Sequence, residues 1–169
     1  RALGGVINIV TKRGSNDWEF TSSVVWDPAS LAAHGKNVVS KVPGIAPGEN
    51  SYYSAYRSDD EEDKLVYSVG GGGALIQDKL FIYGLVEGKK QSADYFSSDN
   101  STATENTSPN GLLKLDWYIT DSHIFELTGI RNVNKTRYTT YRNNADQYYT
   151  GQHGNLRTEY EERDGGNIV

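Results

Sequence analysis

The 169-residue chain has no cysteine, no methionine, only four prolines and no long apolar run. Without cysteine there can be no disulfide framework and no cysteine-ligated zinc. No stretch approaches the roughly 18 apolar residues of a membrane helix. That absence does not touch membrane barrels, whose strands alternate apolar and polar residues and average to a mediocre hydropathy. Cations are in the minority too: 17 Lys and Arg face 22 Asp and Glu, and the net charge of -5 argues against general nucleic-acid binding. With no methionine, Arg1 in mid-pattern and a strand-like Asn167-Ile168-Val169 after Gly165-Gly166, both ends are expected to be cut. A missing signal peptide then carries no information on compartment.

What is present favours β structure. Twelve tyrosines, three tryptophans and eighteen glycines suit an aromatic-girdled sheet better than a helical domain. No run has helical period, and residues 30–33 are too short for a helix. Val6–Thr11 is β-branched and bounded by glycines, which predicts a strand. Trp18–Trp26 alternates Trp18, Phe20, Val24 and Trp26 against Glu19, Thr21 and Ser23. Leu65–Ile76 reads as a strand despite Gly70–Gly73, provided something packs closely on its backbone, as a plug inside a barrel would. Three polar residues later Leu80–Val86 resumes, so the pair is expected to be a hairpin, with the facing of its second strand open. Leu112–Thr120 sets Leu113, Leu115, Trp117 and Ile119 against Lys114, Asp116, Tyr118 and Thr120. A strand from Ile124 to about Arg137 follows, with Arg131 as an imperfection on its apolar side.

The connections alternate in length. Short turns at 77–79 and 121–123 interleave with long polar segments at about 27–64, 91–109 and 138–164, and compact soluble domains rarely need three such loops. Outer-membrane barrels have short periplasmic turns and long extracellular loops, because hydrocarbon confines irregular backbone to the aqueous ends.

At Leu3-Gly4-Gly5-Val6-Ile7-Asn8-Ile9-Val10-Thr11-Lys12-Arg13-Gly14 the sequence resembles the end of the plug in TonB-dependent outer-membrane receptors, where such a stretch leads into the first barrel strand. Asp78-Lys79-Leu80-Phe81-Ile82-Tyr83 and Glu87-Gly88 are similar to a hairpin of the Oar-like subgroup. The resemblance implies an all-β, antiparallel transmembrane β-barrel segment: plug end over 1–14, then about five to six strands of a plugged barrel of about 22 over 15–169. It implies a receptor of the bacterial outer membrane that binds an unknown extracellular ligand and imports it through the TonB complex. Its other partners would be outer-membrane lipid and lipopolysaccharide, with no cofactor and no nucleic acid. Most of the plug, the TonB box and the C-terminal aromatic of such receptors lie outside this sequence.

Candidate sites have bland readings beside them. Asp59-Asp60-Glu61-Glu62-Asp63 offers carboxylates for a divalent cation but lacks EF-hand spacing, and a solvated loop is the plainer reading. Gly70–Gly73 lacks the Lys-Ser/Thr and helix of a phosphate loop. His34, His123 and His153 have no metal-ligand spacing. Asn100, Asn106 and Asn134 head glycosylation triplets of the kind polar loops often generate. Tyr52, Tyr53, Tyr56, Tyr138, Tyr141, Tyr148 and Tyr149 could stack on sugars or siderophores, with girdle or loop packing the plainer role. Glu19, Lys114, Asp116, Glu126 and Asn132 are expected to line the lumen, first as structural hydrogen-bonding groups. No nucleophile-base or metal constellation suggests an enzyme. The competing class is a secreted β-sandwich or surface adhesin, whose apolar faces would meet in a core.

Overall fold

The computed structural model describes residues 15–40, 44, 46, 53–143 and 149–169. The expected plug end and the Val6–Thr11 strand lie outside them, as do Tyr52 and Tyr148. The described chain is all-β and antiparallel: β1 (Glu19–Asp27), β2 (Val38–Val39), β3 (Tyr53–Ala55), β4 (Glu61–Ile76), β5 (Leu80–Phe96), β6 (Asn100–Thr120), β7 (His123–Arg142) and β8 (Asn155–Ile168). Its one described helical piece is a 3-10 turn at Ala29–Leu31. Six strands form one sheet in the order β1-β4-β5-β6-β7-β8, while β2 and β3 make a small ribbon. The sheet is open, with β1 and β8 at its edges.

The strands are longer than their apolar alternation predicts. β5 runs to Phe96 and β6 starts at Asn100, paired without a break from Lys90↔Thr107 to Phe96↔Ser101. The expected loop at 91–109 is therefore a hairpin with a three-residue turn at 97–99. Residues 138–164 shrink likewise, to a connection at 143–154 between β7 and β8. The expected loop at 27–64 shortens to 28–60, and Glu61–Asp63 are strand residues. The physical reason is common to all three. At this end the strands are polar on both faces, so the ladder holds them together with no hydrophobic period to announce it.

Cross-strand pairing defines two faces. One carries Phe20, Val24 and Trp26 of β1 and Leu65, Tyr67 and Val69 of β4. It continues through Leu80, Ile82 and Val86 of β5, Leu113, Leu115 and Trp117 of β6, and Phe125 and Leu127 of β7. Pairing also settles the facing of β5: Ile82 aligns with Leu115, and Phe81 with Asp116. The opposite face is polar where β6 and β7 cross, with Lys114, Asp116, Ser108, Asn106, Asn134 and Thr136.

The glycine run is explained by neighbouring strands. Phe20 and Trp18 lie over Gly71 and Gly73 on the apolar face, while Leu85 and Tyr83 crowd Gly70 and Gly72 on the other. A Cβ on Gly72 would run into the Ile82 carbonyl and come within 2.9 Å of the Tyr83 Cα, both backbone atoms that cannot swing away. Gly72→Ala is therefore expected to cost about 1–3 kcal/mol. Gly84→Ala, whose nearest neighbour is the Leu113 Cδ1 at 3.9 Å, should be tolerated. Denaturant midpoints of the two variants check the contrast.

Candidate functional site

The first feature is the apolar face itself. Leu113 is 57 % exposed, Val86 62 % and Phe20 79 %, so this surface is not a core of the described residues. Most of its aromatic residues lie towards the two ends, Trp18, Trp117 and Phe125 near the short turns and Trp26 and Tyr67 near the other end, with Phe20 between them. Between them Arg131 is the one charged residue on this face. From Leu80 to Lys90 the band covers about 34 Å along β5. A strand tilt of about 40° would reduce that to roughly 26 Å in height, close to the ~25 Å apolar band of a membrane barrel.

On the polar face Lys114 and Asp116 are 5 % and 3 % exposed and form an ion pair of 3.4 Å. The same Asp116 Oδ1 has no hydrogen bond. Above the pair, the Asn106 amide donates to Asn134 Oδ1 and Thr136 Oγ1 at 2.8 Å, and Ser108 Oγ donates to Asn134 at 2.5 Å. Two of the glycosylation-type asparagines thus satisfy one another within a sheet network. Asn100 instead accepts from Ser97 Oγ in the 97–99 turn. Glu19, Glu126 and Asn132 remain exposed.

At the end away from the short turns the aromatic loop residues converge. Tyr53 meets Tyr56 edge-on at 5.7 Å, Tyr56 meets Tyr149 at 4.2 Å, and Tyr149 meets Phe96 at 5.2 Å. His153 then lies between Phe96 at 5.0 Å and Tyr141 at 4.4 Å, stacked on both. Its Nδ1 is 2.7 Å from Ser101 Oγ and its Nε2 3.1 Å from Asp94 Oδ1. These are the members of a hydrolase triad with the ring nitrogens in reversed roles. Ser101, however, is 1 % exposed beneath the imidazole, so its hydroxyl is not presented to an external substrate. The arrangement clamps His153, just ahead of β8, onto β5, β6 and β7. Tyr138 stands apart, stacked on Tyr160 of β8 at 5.0 Å.

The acidic run is split among different partners rather than focused on one point. Asp59 accepts from the Tyr149 hydroxyl at 2.5 Å, Asp60 from the Phe96 amide, Glu62 from Gln91 and Asp63 from the Trp26 indole. His123 instead ties the 121–122 turn through Thr120 at 2.8 Å, and no cluster of three metal-ligating side chains forms among the described residues. The Tyr149 hydrogen bond, with help from Ser58, holds the Asp59 carboxyl below its usual value of 3.8, while burial first and Asp59 second push the Tyr149 phenol up. A depressed acid contributes its stabilisation above the ordinary value and loses it as pH falls through the lowered one. The tyrosine near-UV dichroism difference between wild type and Asp59→Asn should be constant through neutral pH and vanish only below 3.8.

Sequence reasoning missed Phe96, Ser101, Asp94 and the role of His153. They are brought together by the β5–β6 hairpin, and no local spacing signals it. Comparison with family models, curated proteins and solved structures returns no match for this chain.

Proposed function

We propose that this chain is a barrel segment of a TonB-dependent outer-membrane receptor, Oar-like in kind, which binds a ligand outside the cell and imports it when TonB rearranges the plug. The observation that carries the membrane part is the uncovered apolar band, flanked by aromatics and backed by a polar face with a buried ion pair. Lipid is the cover such a band asks for, since hydrocarbon accepts apolar side chains but no unpaired backbone. The import step rests on the resemblance of residues 3–14 to a plug end. The long 28–60 connection and the aromatic cluster at the same end would face the outside and hold the ligand-gathering loops.

Because the segment has no cysteine, single labels can be placed without background from it. In the complete polypeptide in its native membrane, spin labels on Leu115→Cys and Trp117→Cys are expected to be accessible to oxygen and shielded from a water-soluble nickel relaxant. A dry, oxygen-poor environment at both would instead favour a sandwich core and an adhesin. Loss of uptake on deleting TonB tests the import step separately.

A further inference from the structure

At the outer border of the apolar band, on the same face, the ladder sets Lys90 opposite Thr107, Thr107 opposite Lys135, and Lys135 opposite Arg163. Directly opposed side chains have their Cβ atoms about 5 Å apart, and like charges placed so repel. Among the described residues no carboxylate forms an ion pair with Lys90, Lys135 or Arg163. In the next row towards the loops Glu161 is engaged by Arg137 at 3.9 Å, as is Glu159 at 3.6 Å, and Asp63 takes the Trp26 indole. Glu105 shares that row and lines a cleft with Lys90 and Asp63. Within their own row the three cations thus face no carboxylate, and the nearest on this face, Asp63, Glu105 and Glu161, stand one row nearer the loops.

The band below holds a shallow apolar groove of about 670 Å³. Gly84, Gly111 and Gly129 give it a floor of bare backbone, Phe20 and Val69 wall one side, and Arg131 stands at its rim. Arg131 is some four residues, about 13 Å, from Lys135 along β7.

We propose that this face binds a phosphate-bearing, acylated lipid of net negative charge, with an acyl chain in the glycine-floored groove and the phosphate between Lys135 and Arg163. The assignment rests on the membrane-spanning reading and adds a chemically defined partner to it. A free phosphate makes no use of the groove, and an uncharged lipid makes none of the opposed cations. The bound anion supplies the missing counter-charge.

The test uses the complete protein in neutral detergent, titrated with phosphatidylglycerol, with phosphatidylcholine of the same acyl chains, and with inorganic phosphate, retention being read by native mass spectrometry. Wild type is expected to hold phosphatidylglycerol about 30-fold more tightly than Lys135→Gln/Arg163→Gln, as two surface cations imply. Lys89→Gln, on the opposite face, should match wild type. Phosphatidylcholine should bind wild type and the double variant alike. Without lipid the double variant should unfold no earlier than wild type, because the opposed charges are gone. Equal phosphatidylglycerol affinity in wild type and the double variant overturns the proposal, and so does displacement of the lipid by equimolar inorganic phosphate. If the Leu115→Cys label reports acyl chains while the double variant binds normally, only the lipid site fails; a label reporting neither lipid nor oxygen removes the membrane reading with it.

Discussion

Replacing Lys114 by methionine is expected to lower the unfolding free energy by about 3–5 kcal/mol. The lysine and Asp116 are almost wholly removed from solvent, and the facing Asp116 oxygen has the lysine as its ion partner and no hydrogen bond besides. Taking away the cation leaves a carboxylate with neither water nor counter-charge. Adding Asp116→Leu to Lys114→Met should recover most of the loss, because a matched apolar pair needs no compensation in a dry site. Denaturant titration of the two variants decides the matter. If the single variant loses less than about 1 kcal/mol, water reaches the pair and the polar face is wetter than its exposure implies.

On the proposed membrane reading a comparable effect is expected on the other face, where the cause is the surrounding lipid rather than a partner side chain. Leu113→Arg, near the middle of the apolar band opposite Gly84, should cost about 2–4 kcal/mol in lipid, whereas Leu65→Arg, at the border beside Trp26 and Lys90, should cost about 1 kcal/mol or less. Both positions belong to the same face, and Leu113 is the more exposed of the two. Only depth in a bilayer makes the more exposed site the costlier one. Equal penalties at the two sites, measured in lipid vesicles, would speak for a protein cover over the whole face and against lipid.

Where one face is apolar, the strands could be read from the residues: Leu113, Leu115 and Trp117 oppose Lys114 and Asp116 in the ladder as their alternation requires. The short turns expected at 77–79 and 121–123 were equally legible, since polar residues interrupt two apolar runs, although His123 already belongs to β7. The facing of β5 was not, because Phe81, Tyr83 and Leu85 are as apolar as Leu80, Ile82 and Val86. Pairing with β6 decides it. The outer halves of β5 and β6, the last residues of β7 and β8 as far as Gly166 escaped for a different reason. Stretches such as Ser101–Thr107 and Arg157–Asp164 carry no hydrophobic period, and backbone hydrogen bonds, which have no side-chain signature, hold them. The His153 clamp lies further still from the sequence, because Asp94, Ser101 and His153 meet only after two hairpins have closed.

The two borders of the sheet differ in what they repel. Along β8, Arg157, Glu159, Glu161, Glu162, Arg163 and Asp164 follow one another, and a second copy laid against that margin would meet a dense array of charge, the device by which natural sheets discourage unwanted pairing. β1 has no such guard between Phe20 and Trp26. Stray association of the chain on its own should therefore begin at β1, and a charged residue on its apolar face, such as Ser22→Lys, is the simplest way to keep it in solution.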